Sequence, residues 1–454
     1  NNGKIIIGDK GYGALLGGQI SNAGIVSARL GKIALGAGEK ITLDFVGDGL
    51  MSVSVPSEKL GIIKDINGNT LKSLISNSGL LKANGGIIKL SAATAKNLSR
   101  SSVNIGSSGL IIARSVNDKT GKVVIGSPTN EKIKIAGKID VSGHRSLTPS
   151  GTIIVRGRSV THNGKIFARG GTGGKVNIIS KDTLKLDGSI FAQGTKEKGG
   201  SVLFLSEKSI SSTPKTVVDV SGANKGGRIR SLAKSTNISS GTFKSNSEGG
   251  KGGNIDLTGD RVEISNAKIE ATGNLMGGKV RIGGDYLGGQ DLTIMDNKNV
   301  YGFVSRFGDQ PSIQNSKQTI VKADTNIDVS SKKGQGGTAV VWSDQMTDFE
   351  GKINARGAEI AALTTVVNAD KSTYKSSKEP PILTIKNKLE PIESTVDPPP
   401  KKVIQLSRNQ IKSQVDPPPP KIFDKGGGFV EISSKNYLKR ANIAGVSLNG
   451  GTLL

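Results

Sequence analysis

The sequence contains no cysteine, so disulfide frameworks and cysteine-ligated metal sites are excluded. It has two histidines and no His-Glu-x-x-His spacing, which leaves a metal site little to be built from. Aromatic residues make up only 4%, so a wide core would have to be assembled from Ile, Val, Leu and Ala. Long apolar runs are also missing. Gly13-Ala14-Leu15-Leu16-Gly17-Gly18 is among the longest, far short of the roughly 20 residues a membrane-spanning helix needs. The chain opens Asn1-Asn2-Gly3-Lys4 with no charged and apolar leader, which does not bear on whether one was removed.

What is abundant is glycine, 63 of 454 residues, and positive charge, 62 Lys and Arg against 37 acidic residues. Glycine has no three-residue period, so a collagen-like chain is excluded. It recurs instead in pairs that open a β-rich stretch. Gly173-Gly174-Lys175-Val176-Asn177-Ile178 is followed by Gly199-Gly200-Ser201-Val202-Leu203-Phe204 and Gly226-Gly227-Arg228-Ile229. Gly252-Gly253-Asn254-Ile255 and Gly277-Gly278-Lys279-Val280 continue the series, at steps of 26, 27, 26 and 25 residues. Later copies begin at Gly336 and Gly427.

A second element stays in phase with the first, reading Ile139-Asp140-Val141-Ser142-Gly143, Ile166-Phe167-Ala168-Arg169-Gly170 and Ile190-Phe191-Ala192-Gln193-Gly194. Val218-Asp219-Val220-Ser221-Gly222, Ile269-Glu270-Ala271-Thr272-Gly273 and Ile353-Asn354-Ala355-Arg356-Gly357 repeat it. Between the two lies a third alternating run, such as Thr183-Leu184-Lys185-Leu186 or Arg261-Val262-Glu263-Ile264. Three short strands per repeat, with period-two alternation and glycine interrupting any helical period, predict an all-β parallel β-helix, or β-solenoid, of roughly 26-residue coils. Its narrow interior accounts for the shortage of aromatics. About 14 such coils at the ~4.8 Å strand spacing make a rod near 70 Å long. A sandwich or propeller is the alternative, although a propeller blade needs about 40 residues. Small residues at Ala168, Ala192 and Ala271 suit tight corners, and the corner glycines are expected to supply positive φ.

The period places coils over 1–284, an aromatic-containing excursion over 285–335, coils over 336–377, a Pro-rich insertion over 378–425 and a last coil over 426–454. The excursion carries Tyr286, Tyr301, Phe303 and Phe307 and is expected to pack against the side of the rod. The insertion duplicates itself, with Val396-Asp397-Pro398-Pro399-Pro400-Lys401 echoed by Val415-Asp416-Pro417-Pro418-Pro419-Pro420-Lys421. Its prolines favour an exposed tether, with a ligand for a proline-reading domain as the alternative.

Chemistry is thinly represented, and no catalytic, metal or cofactor-binding residue can be named. His144 and His162 each lie near a turn and read as solvent-exposed. Gly170-Gly171-Thr172-Gly173-Gly174-Lys175 mimics a phosphate loop, but Val176 stands where Ser or Thr is required and a strand follows. A β-helical polysaccharide-degrading enzyme would need carboxylates converging on adjacent coils. Asp187, Asp219 and Glu270 recur near the second element, at positions the sequence reads as non-equivalent. The expectation is a non-enzymatic protein. The net charge of +25 is spread over every coil without interleaved aromatics, which argues against specific nucleic-acid binding. Two readings stay open: a Lys-rich composition, or a basic surface for host-surface glycans and other polyanions.

The stretch Asn22-Ala23-Gly24-Ile25-Val26-Ser27-Ala28-Arg29-Leu30-Gly31, leading into Thr42-Leu43-Asp44-Phe45 and Gly47-Asp48-Gly49-Leu50, resembles the exoproteins of the filamentous haemagglutinin family. So do Gly283-Gly284-Asp285-Tyr286-Leu287-Gly288-Gly289, Gly336-Gly337-Thr338-Ala339-Val340-Val341-Trp342-Ser343-Asp344 and Gly427-Gly428-Phe429-Val430-Glu431-Ile432-Ser433-Ser434-Lys435. The resemblance implies a right-handed parallel β-helix, two-partner export through an outer-membrane transporter, and an adhesive role outside the cell or on the bacterial surface. It also implies that residue 1 lies downstream of the family's secretion-signal region, so that the chain is an internal fragment. A stalk within a larger toxin-delivery exoprotein is the remaining alternative.

Overall fold

The computed structural model describes residues 1–38, 40–43, 51–54, 73–92, 101–126, 132–143, 148–289, 312–358, 426–449 and 452–453. All of them belong to one compact unit, Asn1–Ile360 with Phe423–Leu454. Among the described residues, thirty-four strands form one sheet whose ladders run parallel.

The glycine-pair stretches make one face. Lys122, Thr152, Lys175, Ser201, Arg228, Asn254, Lys279, Thr338 and Phe429 are successive register partners. The short alternating runs make another, with Thr183-Leu184-Lys185-Leu186 lying between Ser159–His162 and Ser209–Ser212. The second element makes a further face, in which Ile139, Ile166, Ile190, Val218, Phe243, Ile269, Ile327 and Ile353 stack in order. Strands stacked coil upon coil in parallel define a β-helix.

The interior follows from alternation. Within Lys175–Leu186, Val176, Ile178, Leu184 and Leu186 are buried while Lys175 and Lys185 are exposed. Register then sets each buried residue on its equivalent one coil away, so a continuous apolar column forms, mostly of Ile, Val, Leu and Ala with Phe204, Phe243 and Phe349 among them. Each buried Ile, Leu or Val contributes roughly 1.5–3 kcal/mol. Ala168, Ala192 and Ala271 are fully buried at their bends.

The corner glycines serve a different purpose from the one expected. None of the pairs Gly173-Gly174, Gly199-Gly200, Gly226-Gly227, Gly252-Gly253 or Gly277-Gly278 has positive φ. They are small because neighbouring backbone leaves no room. A Cβ on Gly200 would lie 2.2 Å from the Gly174 carbonyl oxygen, and one on Gly199 1.7 Å from that of Val220.

Domain limits shift in two places. Lys40–Leu43 and Met51–Ser54, expected within the coils of 1–284, pair antiparallel as a separate two-stranded sheet. The excursion expected over 285–335 ends earlier, because Gln318–Val321 and Asn326–Asp328 are coil strands, flanked by Arg261–Glu270 and by the next coil. Alternation resumes there, with Val321 and Ile327 buried. Thr338–Val341, Met346–Phe349 and Lys352–Asn354 form coil strands within 336–377, and Phe429–Ile432, Tyr437–Ala441 and Val446–Ser447 form the next coil. The insertion at 378–425, and Tyr301, Phe303 and Phe307, lie outside the described residues.

Candidate functional site: charged ladders and a basic groove

His144 lies outside the described residues, and His162 is not the exposed turn residue expected. It ends the strand Thr152–His162 at an inward position, between Ile135 and Leu186, and is 1% exposed. Alternation carries the imidazole inside although a turn follows. Burial pushes its pKa down to about 4, against a smaller upward effect of backbone groups of Ser189 and Ile135. A neutral histidine sealed in an apolar column is a packing residue.

The carboxylates are also arranged differently from the expectation. Asp219 and Glu270 are equivalent, in one ladder that reads Asp140, Phe167, Phe191, Asp219, Lys244, Glu270, Asp328 and Asn354. Asp187 stands apart, in the turn before Ser189–Phe191. The two already share the second position of the copies Val218-Asp219-Val220 and Ile269-Glu270-Ala271, and the less regular copy at Phe243 lies between them. The stretch around Phe243 has Ser245 and Ser247 where others have Ala and Gly, and the one around Ile327 ends in Ser331.

Each ladder carboxylate is engaged by its neighbours. Arg114 donates to Asp140 through Nε at 3.0 Å and Nη2 at 2.7 Å, and Gln193 donates to Asp219 at 2.7 Å. Glu270 pairs with Lys268 at 2.6 Å and Lys244 at 3.4 Å. Burial alone would raise the Glu270 carboxyl. The Lys268 hydrogen bond and both ammonium charges outweigh it and hold the group below its ordinary value. A general acid needs the opposite shift. The two phenyl rings inside this ladder, Phe167 and Phe191, stack 5.5 Å apart with the Arg169 guanidinium over both.

A second charged cluster is covered by the segment that leaves the coil at Gly283. Arg281 is 4% exposed in its side chain and donates from Nε to Asp256 at 2.8 Å and from Nη1 to Asp285 at 2.8 Å. Tyr286 sits edge-on to Phe429 at 5.2 Å and packs with Val340 and Trp342. Glu431 is fully buried and accepts from Leu287 N at 3.2 Å and Ser433 Oγ at 2.6 Å. Burial, with a smaller contribution from Asp285, pushes its pKa up to about 7.

The open feature is a groove of about 480 Å³ running across the coils between Ser150 and Asn254. Its floor is the row of glycine pairs. Lys198 and Lys225 stand on one side, and Lys175 and Arg228 on the other, with no carboxylate among the lining residues. Lys198, Lys225 and Lys251 are direct register partners on three successive coils. The floor offers few donors, because its N–H groups are spent within the fold. Gly199 donates to Lys225 O at 2.9 Å, and Gly200 to Ala192 O at 2.7 Å. The same holds for the phosphate-loop mimic, where Gly171, Gly173, Gly174 and Lys175 all donate to neighbouring carbonyls. It is a turn between coils, as its sequence suggests.

Among solved structures, the chain is similar to the secretion domain of HMW1 from Haemophilus influenzae. Identity is 15%, coverage 96% of both chains and the TM-score 0.41. No protein-family model matches the chain, and no curated protein does. The fold assignment rests on strand register alone.

Sequence reasoning placed the glycine pairs and strands but missed the groove. Its signal was present: a lysine immediately or closely before the pairs Gly199-Gly200, Gly226-Gly227 and Gly252-Gly253.

Proposed function

We propose that the chain is a segment of a secreted or surface-exposed exoprotein of the filamentous haemagglutinin type, working without turnover as an adhesive scaffold. One observation carries this reading. Three of the motifs that suggested the family are separated by up to 144 residues, yet they meet in one cluster. Tyr286, Trp342 and Phe429 pack together, and Leu287 N donates to Glu431. Residues scattered through the sequence are thus used jointly, which chance similarity in three separate places does not require. A parallel coil presents long polar side walls, suited to contact with a surface and not to enclosing a small substrate.

Export through a dedicated outer-membrane transporter belongs to the same proposal. The test is to express the chain in a Gram-negative host, fused behind a two-partner secretion-signal region, together with the transporter that serves that region. Protease-accessible protein outside the cell, lost when the transporter is deleted, is the expected result. Periplasmic retention in both strains refutes it. Beads coated with the purified chain should adhere to host cells above uncoated controls. Release of oligosaccharides from acidic or neutral glycans would instead favour the enzyme.

A further inference from the structure

The strap that leaves the coil at Gly283 lies flat on Trp342, the single tryptophan of the sequence. A Cβ on Gly284 would stand 2.5 Å from Trp342 Cδ1, and one on Gly288 2.7 Å from Trp342 Cζ2, so glycine lets the backbone close over the indole. This path takes four left-handed residues within seven: Gly283, Leu287, Gly288 and Gly289. Leu287 carries a Cβ at φ 47° and is strained there. Such a conformation persists only while its surroundings hold it. Three side chains do so. Arg281 donates to Asp285 at 2.8 Å, Asn315 Nδ2 to Gly288 O at 2.8 Å, and Leu287 N donates to the Glu431 carboxyl at 3.2 Å.

The third contact differs from the others. Glu431 is fully buried, and among the described residues it has no cationic partner, only the Leu287 N–H and the Ser433 hydroxyl. On the strap, Asp285 and Tyr286 act on it electrostatically. On the coil, its neighbour in the ladder is Val340, and Arg281 stands one rung further, engaged by Asp256 and Asp285. Asp344, beside Trp342, accepts from the indole Nε1 and from Asn315. A neutral Glu431 is satisfied in this setting, whereas an ionised one is a buried anion without a counter-charge.

We propose that the strap 283–289 is a proton-operated clasp: it lies closed over Trp342 and Phe429 while Glu431 is neutral, and lifts off the coil when Glu431 ionises. Lifting gives the carboxylate access to water, separates it from Asp285 and uncovers the outward faces of both rings. The coil beneath stays in place, because Thr338–Val341 is paired on both sides. Burial is the main cause that pushes the Glu431 carboxyl up to about 7, and Asp285 adds to it. The closed form is therefore fully stabilised below the ordinary value of 4.5 and loses that advantage as pH rises through about 7, by up to about 300-fold. The inference is independent of the adhesive reading.

Trp342 is the probe. Fluorescence of the purified chain is followed from about pH 5.5 to 8.5. Hydrogen exchange is read alongside, corrected for its intrinsic pH dependence, at the Leu287 amide and at Gly278 and Phe429, whose amides donate to coil carbonyls. With a midpoint near pH 7, Trp342 emission should move to longer wavelength and its quenching by acrylamide should rise about twofold or more. Leu287 should lose about tenfold or more of its protection while Gly278 and Phe429 keep theirs. In Glu431→Gln, whose amide oxygen can still accept from Leu287, the strap should stay closed over the whole range. If that variant does not fold, the exchange pattern of the native chain decides. Fluorescence and Leu287 protection that ignore pH, a transition that persists in Glu431→Gln, or protection lost equally at Gly278 and Phe429 overturns the proposal.

Discussion

Two regions of this molecule bury charged or polar groups by different means. In the regular coils from Thr152 to Glu270, burial is decided by position in a repeat, and inward residues stack on their equivalents. Around Tyr286, Trp342 and Glu431, burial is decided by a covering segment that closes over outward positions. Arg281 and Glu431 occupy the outward ladder that elsewhere holds half-buried residues such as Asn177 and Arg230. The difference shows in their chemistry. His162 is kept neutral by the interior, whereas Glu431 is kept near its titration point by the cover.

The largest expected effect breaks the repeat itself. Gly200→Val drives a side chain into the Gly174 carbonyl and should cost about 4 kcal/mol or abolish folding, read from the urea midpoint. An equally stable variant would mean that the coils can separate locally without loss. Arg281→Ala breaks the covered cluster, leaving Asp256 and Asp285 facing each other's charge with little water. A loss of about 3 kcal/mol is expected, by the same measurement.

The two regions should also respond to pH with opposite sign. The depressed His162 pKa means that its contribution is complete above about 6.5 and lost as pH falls toward about 4, by roughly 3 kcal/mol. Glu431 is raised, so its contribution is complete below about 4.5 and lost as pH rises through about 7, by roughly 3 kcal/mol. Stability measured from pH 4 to 8 should therefore show His162→Leu flattening the acid limb and Glu431→Gln flattening the neutral one. Parallel curves for either variant and the native chain would remove that residue from the comparison.

The smallest effect lies at the last coil. Arg440 holds Asp348 through Nε at 2.6 Å and Nη2 at 2.8 Å, lowering the carboxyl to about 2 chiefly through those hydrogen bonds. The pair joins strands 92 residues apart, with the Pro-rich insertion between them in sequence. Arg440 is exposed at this edge, so Arg440→Ala should lower the melting temperature by only roughly 1–2 °C.

Legibility followed the same division. The glycine pairs, the Ile-x-Ala corners and the alternating runs were readable because each recurs at one period, and the register partners agree with them residue by residue. Phe243 and Ile327 escaped because Ser replaces the marker residues around them, although their inward position is unchanged. The equivalence of Asp219 and Glu270 was legible in the quoted copies, and what the gap hid is that Lys244 stands between them. His162 was misplaced because proximity to a turn was given more weight than its place in the alternation. The groove was hidden because its lysines are about 26 residues apart and become neighbours only when coils stack.

By itself, the sequence determined the strand period, the inward apolar column and the need for small residues at the bends. Those depend on contacts each repeat makes with a copy of itself, so a local pattern specifies them. Only the tertiary structure decided the purpose of the corner glycines, the pairing state of each carboxylate, the cover over Arg281 and Glu431, and the unneutralised lysine row. Each of these depends on which different residues the coil register brings within a few ångströms, and no single repeat carries that information.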